Sequence, residues 1–551
     1  MVDELVGLLK QKGFKGETDA SDATRQFYAH DASLFELVPE IVVFPKDTKD
    51  VQALVGVVNQ LRPKYPKLNV TPRSGGTCMS GGAIGQSIVM DINRHFNKIE
   101  SVSEFAAHVQ PGVFYRDFEK KSLKKGGLLP SFPASREICT VGGMVANNSG
   151  GEKSLQYGKT EDYVRELDVV LADGRKYSVK PLNKRELVVK MGQKTFEGKI
   201  YKQLFELIEQ NYELIKAAKP KVSKNSTGYN LWDVWDRETG IFDLTKLFVG
   251  SQGTLGLISD IHFKLVHDKP HSGVLVVFMK DVKQLGEIIK VVLKHSPASF
   301  ESFDNYTLEL SFKFFFYFHK TLGWKKLIKL GFQLLPDLLL LAHGIPKLIL
   351  LIEFSGDTPE IVSRKVHDMR GALEPFDLEA TEEDSTEAKA YKFRIMRRES
   401  FNLLRKKVKD KHTAPFIDDF VVPPEHVTEF LPKLQRIIKK YKLLATVAGH
   451  MGDGNFHVIP LMKIEDPRER AKIKPAMYEV NELVLDYGGS LSGEHNDGMI
   501  RGPWLKIMYG DKMEHIFKET KNIFDSENIF NPHKKTDATW DFSLSHIRQK
   551  F

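Results

Sequence analysis

Three loops built from small residues most constrain how this chain folds. PRSGGTCMSGG (72–82) follows the strand-like LNVTPR (68–73) and carries four glycines in eight residues. SFPASREICTVGGMVANNSGG (131–151) offers backbone donors and a hydroxyl between Thr140 and Gly143, with the amides of Asn147 and Asn148 beside them. LFVGSQGTLGLIS (247–259) is the third. Glycine lets backbone N–H groups turn toward a phosphate and approach it closely. One such loop usually only turns. Three of them, each bordered by a strand-like segment, point to one long ligand threaded between two subdomains, and a dinucleotide has that shape. The first loop is not G-x-G-x-x-G and no long helix follows it at once, so a Rossmann site is disfavoured.

At 551 residues the chain has room for two to four domains at about 150 residues each. From Ile41 to Asp91 it reads β-α-β-loop-β: IVVF (41–44) is an apolar strand, Asp47 caps a helix with Val51, Leu54 and Val58 on one face, and LNVTPR and SIVMDI (87–92) are strands. LDVVLADGRKYSV (167–179) reads as a hairpin with Asp173-Gly174 at its turn. From about residue 270 the texture becomes strand, amphipathic helix, strand: VLVVFMKDVKQLGEIIKVVLKH (274–295), LILLIEFSG (348–356), the helix IVSRKVHDMRGAL (361–373), the helix PEHVTEFLPKLQRIIKKY and the strand LLATVAGH. The tail beyond about 500 is helical.

Composition closes several classes. Hydrophobic residues make 41% and charged residues 28%, an ordinary globular balance. The only cysteines, Cys78 and Cys139, are too few for an iron–sulfur cluster or a disulfide framework. The net charge of +8 is spread over scattered lysines with no basic stripe or aromatic platform, so nucleic-acid binding is excluded. MVDELVGLLKQKGFKG lacks the marks of a signal peptide, so a cytoplasmic location is expected. The stretch 312–349 is rich in Phe, Leu and Lys, and its apolar runs are broken by charges and prolines short of the roughly 20 residues of a span. It reads either as a helical insertion packed on the second domain or as a peripheral anchor on the inner membrane face.

AGHMGDGNFHVIP (448–460) is the sharpest chemical signal. If Asp453-Gly454 closes a two-residue hairpin, paired residue numbers sum to 907 and His450 stands directly opposite His457. Opposed Cβ atoms lie about 4.5–5.5 Å apart, close enough for two imidazoles to share a metal ion. The bland alternative is two polar residues beside a turn. In GGSLSGEHNDGMIRG (488–502), Glu494 could complete a site of two histidines and one acid, with His495 beside it as an acid/base; a helix cap or surface loop is the alternative. On the expected helix YKFRIMRRESFNLLRKK (391–407), Arg397, Arg398 and Arg405 face solvent, or one turns inward to grip a carboxylate in bidentate fashion.

In the same order the chain carries PRSGGTCMSGG, TVGG with NNSGG, GSQGTLG, GHMGDGNFH, SGEHNDG and FDSENIFNPHKK. With these six motifs it resembles the FAD-linked oxidases of the vanillyl-alcohol oxidase, or PCMH, type, in the group of D-lactate, D-2-hydroxyglutarate and glycolate dehydrogenases. The resemblance runs from about residue 35 to 535. It implies an α+β fold: a two-subdomain PCMH-type FAD-binding domain over 35–268, after an N-terminal helical segment at 1–34. A cap domain with an antiparallel sheet over 269–500 then carries the substrate site, and a C-terminal segment, 501–551, packs back on the FAD domain.

By motif matching the resemblance implies FAD contacts at Arg73, Ser74, Gly75, Gly76, Thr77, Cys78 and Ser80, at Pro133, Thr140, Gly142, Gly143 and Asn147, and at Asn531. It implies a divalent metal, usually zinc, on His450, His457 and Glu494, His495 as the base, Arg398 or Arg397 on the substrate carboxylate and Asn455 on the substrate. The chain departs from the family at Ile417 and Asp418, where the hydroxyglutarate enzymes carry a lysine, and at Ser526 and His533, where Pro and Gly are usual. The implied reaction oxidises a D-2-hydroxy acid to the 2-oxo acid by hydride transfer to flavin N5. Electrons would then pass to an external acceptor, a quinone, a cytochrome or an electron-transfer protein, because two cysteines cannot hold an iron–sulfur cluster; an oligomer is compatible with this. The rival readings are an FAD transferase of the alkylglycerone-phosphate synthase type and a membrane-docked, metal-binding protein without enzymatic activity.

Overall fold

The computed structural model of the protein describes residues 1–304, 346–376, 378–383 and 410–549. Arg397, Arg398 and Arg405 lie outside them, as does the 312–349 stretch up to residue 345. Helix α1 (Val2–Gln11) is followed by Gly13, whose φ is 77°, and then by strand β1 (Glu17–Asp19). Helix α2 (Asp22–Tyr28) follows. The first 34 residues are therefore not wholly helical: β1 pairs antiparallel with β2 (Ile41–Phe44) and extends the first sheet. Helix α3 (Thr48–Leu61) starts where Asp47 accepts the Asp50 N–H, and its buried face includes Val51, Leu54, Val58 and Leu61. It covers a sheet of order β1-β2-β4-β3, in which β3 (Val70–Arg73) and β2 flank β4 (Ile88–Asp91) in parallel.

A second, antiparallel sheet has order β5-β6-β9-β7-β8, from β5 (Ile99–Val102), β6 (Ala106–Val109), β7 (Val164–Val170), β8 (Lys176–Val179) and β9 (Leu257–Lys264). The β7–β8 hairpin turns at Gly174, whose φ is 76°, with Asp173 accepting the Arg175 N–H. Thr140 caps the short helix α4 (Val141–Asn147), its hydroxyl accepting the Gly143 N–H.

The third sheet has eight strands and order β13-β10-β12-β11-β16-β17-β14, with β15 pairing β17 off that path. Its members are β10 (His271–Met279), β11 (Ser299–Asp304), β12 (Leu348–Gly356), β13 (Glu379–Glu383), β14 (His412–Thr413), β15 (Phe420–Val421), β16 (Leu444–His450) and β17 (Asn455–Met462). Residues 348 and 349, counted in the insertion from sequence, open β12. Helices α5 (Leu285–Lys294), α6 (Pro359–Leu373), α7 (Val427–Lys440) and α8 (Ile473–Asp486) bury apolar residues in the same core as this sheet. The tail returns to the first two sheets. Helix α9 (Leu505–Phe524) buries Met513, Ile516, Phe517 and Phe524 in the core of the second sheet, and the Val70 N–H of β3 donates to the Ile529 carbonyl. Among the described residues no helix is long and apolar enough to cross a membrane.

Candidate active site

Strands β16 and β17 form the expected hairpin in a different register. His450 pairs with Asn455, and His457 with Ala448, so paired numbers sum to 905, not 907. The connection is a four-residue loop, Met451–Gly454, because tertiary contacts claim the turn. Asp453 is drawn to Lys224 and Ser223, and Gly454, at φ +63°, sits where a Cβ would lie 1.8 Å from the Val422 carbonyl oxygen. A slip of two residues keeps strand parity, so both histidines stay on one face as diagonal neighbours. Their ring centroids are 5.4 Å apart and nearly perpendicular.

Glu494 and His495 come from a loop shaped by one acid. The Asp419 carboxylate accepts the N–H groups of Glu494 and His495 and the Ser492 hydroxyl, and its carbonyl accepts the Gly493 N–H. This brings Glu494 against the hairpin. His450 Nε2 lies 3.2 Å from Glu494 Oε1, and His457 Nε2 lies 3.9 Å from Oε2. Each remaining ring nitrogen is backed by a carboxylate: His450 Nδ1 by Glu301 at 2.6 Å, His457 Nδ1 by Asp418 at 3.1 Å and His495 Nδ1 by Asp418 at 2.6 Å. A metal-ligating histidine is oriented in this way. His450, His457 and Glu494 each offer a ligand atom within 4.8 Å of the others. Two imidazoles and one acid, with both Nδ1–H groups already committed, fit a borderline divalent cation such as zinc.

The electrostatics follow from burial against charge. Burial disfavours a charged imidazolium at His450, but Glu301 and Glu494 outweigh it and push its pKa up to about 9. His495 also rises to about 9, with Asp419 and Asp418 overcoming burial. Burial acts to raise Glu494, yet the Lys224 ammonium and His450 hold it well below the usual carboxylate range.

These groups line a cavity of about 1140 Å³, above the usual 300–1,000 Å³ of ligand sites. Ser74, Gly75, Gly76, Thr77 and Cys78 of the first glycine loop line it, with Pro133, Thr140, Gly142, Gly143 and Asn147 of the second and Gln252 and Gly253 of the third. At Gly75 a Cβ would lie 2.6 Å from the Ile138 carbonyl oxygen, so the two loops approach closely only through glycine. His450, His457, Glu494 and His495 line the same space.

Four of the expected contact residues are not among those lining the cavity. Arg73 is not on the cavity wall: its guanidinium stacks over the Tyr28 ring and donates to the Tyr28 and Ala83 carbonyls. Ser80 donates to the His495 carbonyl, and Asn531 donates to the Gly82 and Gln252 carbonyls, so both brace the loops from behind. Asn455 is fully buried and donates to Asp419 and Phe420. Glu301, Asp419 and Lys224 went unread in the sequence, and Asp418 entered there only as a departure from the family's lysine.

Residues 39–179 match the family described as FAD binding domain, and residues 269–535 match FAD linked oxidases, C-terminal domain. The chain is similar to a D-2-hydroxyglutarate dehydrogenase of Pseudomonas putida, 30% identical over 539 residues that cover 96% of this chain and 51% of that protein. It thus spans about half the length of that relative. It is also similar to the glycolate oxidase subunit GlcD of Bacillus subtilis, 27% identical over 94% of this chain and 93% of that one. Among solved structures, p-cresol methylhydroxylase with substrate bound superposes with a TM-score of 0.66 at 15% identity, covering 98% of this chain and 96% of that one. An alkyldihydroxyacetonephosphate synthase superposes at 0.65 and 17% identity, covering 97% of this chain and 85% of that one. At such identities the structures show the fold alone, and that fold is the PCMH-type architecture of mixed helices and antiparallel sheets.

Proposed function

This chain belongs to the FAD-linked oxidases, and from that membership we propose that it is an FAD-dependent dehydrogenase of a short D-2-hydroxy acid, of the lactate or 2-hydroxyglutarate type. The observation that carries the reading is the meeting of His450, His457, Glu494 and His495 on the wall of the cavity that the glycine loops line. The loops at 74–78 and 140–147 would hold FAD, and His450, His457 and Glu494 a divalent cation, zinc by the donor set. When bound, FAD supplies the two-electron acceptor and the cation a Lewis acid that lowers the pKa of a substrate hydroxyl.

The protein's own groups do the rest. His495 is the proton acceptor in its neutral form, which a cation held by the adjacent His450, His457 and Glu494 would favour over the imidazolium that Asp419 and Asp418 stabilise. Its Nδ1–H is committed to Asp418, which fixes the tautomer and leaves Nε2 to take the hydroxyl proton. Asp418 then stabilises the imidazolium, as a buried carboxylate does for a catalytic histidine. Lys411 lines the same cavity and brings a cation within the reach of a substrate carboxylate. Electrons leave to an external acceptor.

The test is a panel of D- and L-2-hydroxy acids read by bleaching of the bound flavin, with a dye as terminal acceptor. Bleaching by one or more D-acids, lost together with bound metal in His450→Ala and His457→Ala while flavin stays, is the expected result. A flavin that no 2-hydroxy acid bleaches, or unchanged metal in both variants, overturns the reading.

A further inference from the structure

Lys224 has no part in that chemistry, yet it reaches into the heart of the cluster. Its side chain is 1% exposed. The ammonium donates to Glu494 Oε1 at 2.7 Å and to the Gly151 carbonyl at 3.3 Å, and lies 3.0 Å from Asp453 Oδ2. An ammonium has three protons, and these three acceptors use them all. Ser223, the preceding residue, donates to the other oxygen of Asp453 at 2.7 Å. One short segment thus pins both acids.

Resting on the reading of His450, His457 and Glu494 as a cation seat, we propose that Lys224 is a positioning residue that sets which cation this seat accepts. Lys224 and His450 share Glu494 Oε1, so Oε2, on the His457 side, is the oxygen left to ligate. One carboxylate oxygen with two imidazoles favours borderline ions such as Zn²⁺ and Co²⁺. Hard ions need more oxygens. Those oxygens are close by: Glu494 and Asp453 both touch the same ammonium and so lie next to each other. Lys224 fills the space between the two acids with its own positive charge. Without it, the paired carboxylates are an oxygen-rich pocket that suits Mn²⁺ or Mg²⁺ and pulls Glu494 away from the imidazoles.

The experiment is equilibrium dialysis of the metal-stripped, flavin-loaded enzyme against Co²⁺ and, separately, Mn²⁺, with bound metal measured by elemental analysis. The wild type prefers Co²⁺. In Lys224→Met the Co²⁺/Mn²⁺ affinity ratio falls by about tenfold or more, the scale seen when a group that orients a metal ligand is removed. Adding Asp453→Asn, which removes the second acid, restores much of the ratio. Lys224→Gln keeps two donors, drops the charge and lowers the ratio in the same direction. A ratio unchanged in Lys224→Met and Lys224→Gln overturns this proposal and leaves the cation seat standing. A wild type that binds neither ion overturns the seat itself. Loss of flavin from both variants also overturns the proposal, because Lys224 is then needed for folding and not for ion choice.

Discussion

His495 Nδ1 donates to Asp418 Oδ2 across 2.6 Å, and Asp418 is 2% exposed beneath it. The other oxygen of the same carboxylate takes His457 Nδ1 at 3.1 Å. One acid therefore orients both the proposed base and a proposed ligand. Burial acts to raise the Asp418 pKa, and the two imidazoles hold it well below the ordinary value, so the carboxylate is ionised and accepts from both rings.

Asp418→Asn puts this to work. An amide has one accepting oxygen and one donating nitrogen, so one of the two rings must take the wrong tautomer or lose its partner. Metal affinity is expected to fall about 10- to 100-fold, and the rate of flavin reduction to fall with it, while flavin content holds. Metal analysis and stopped-flow reduction on one preparation check both. An effect on neither measurement would deny Asp418 its orienting role.

His495→Asn separates the base from the ligands. The ring is the only change, and His450, His457 and Glu494 keep their contacts with one another. Flavin reduction should slow by about 10²–10⁴, the usual worth of a positioned acid/base, with metal content unchanged. Reduction at the wild-type rate would remove His495 from the chemistry.

How much of this could be read beforehand depended on the range of the forces involved. Ile41–Phe44 and Leu348–Gly356 are strands to the residue, because an unbroken apolar run is a local signal. The shared face of His450 and His457 was legible through parity, which a two-residue slip preserves. The slip itself was not, since the turn is held by contacts such as that of Lys224 with Asp453, which lie far apart in sequence. Motif membership placed Arg73, Ser80, Asn455 and Asn531 near the site, but could not tell which way each side chain points. Asp418 was visible only as a departure from a family pattern, and its two histidine partners lie 39 and 77 residues downstream.

Two glycines separate backbone demand from habit. At Gly454, φ is +63° and a Cβ would strike the Val422 carbonyl at 1.8 Å, so Gly454→Ala must displace the loop between the two histidine strands. It should lower both metal content and thermal stability. Gly56, inside α3, has nothing within 4 Å of a Cβ. Gly56→Ala should raise stability by about 0.5–1 kcal/mol, the helix cost of glycine. Thermal unfolding of the two variants beside the wild type checks the opposite signs; the same sign for both would contradict the geometry.

Lys534 gives a pH dependence with a definite direction. It is 2% exposed, and its ammonium makes a long bond of 3.3 Å to the Pro532 carbonyl. Burial pushes its pKa down to about 8 against the pull of Asp31, Cys78 and Asp537. In the unfolded chain a lysine titrates near about 10.4. Between those values the unfolded chain binds the extra proton, so stability rises with pH across that window. Below about pH 8 the full cost of holding the charge inside applies, on the order of 3 kcal/mol. Lys534→Met removes that cost. The variant should melt several degrees above the wild type near about pH 7, and the gap should close toward about pH 10 as the wild-type lysine becomes neutral in both states. Melting curves of both proteins across that range decide the matter, and a gap that stays constant or widens with pH would mean Lys534 is not held as a buried, poorly paired cation.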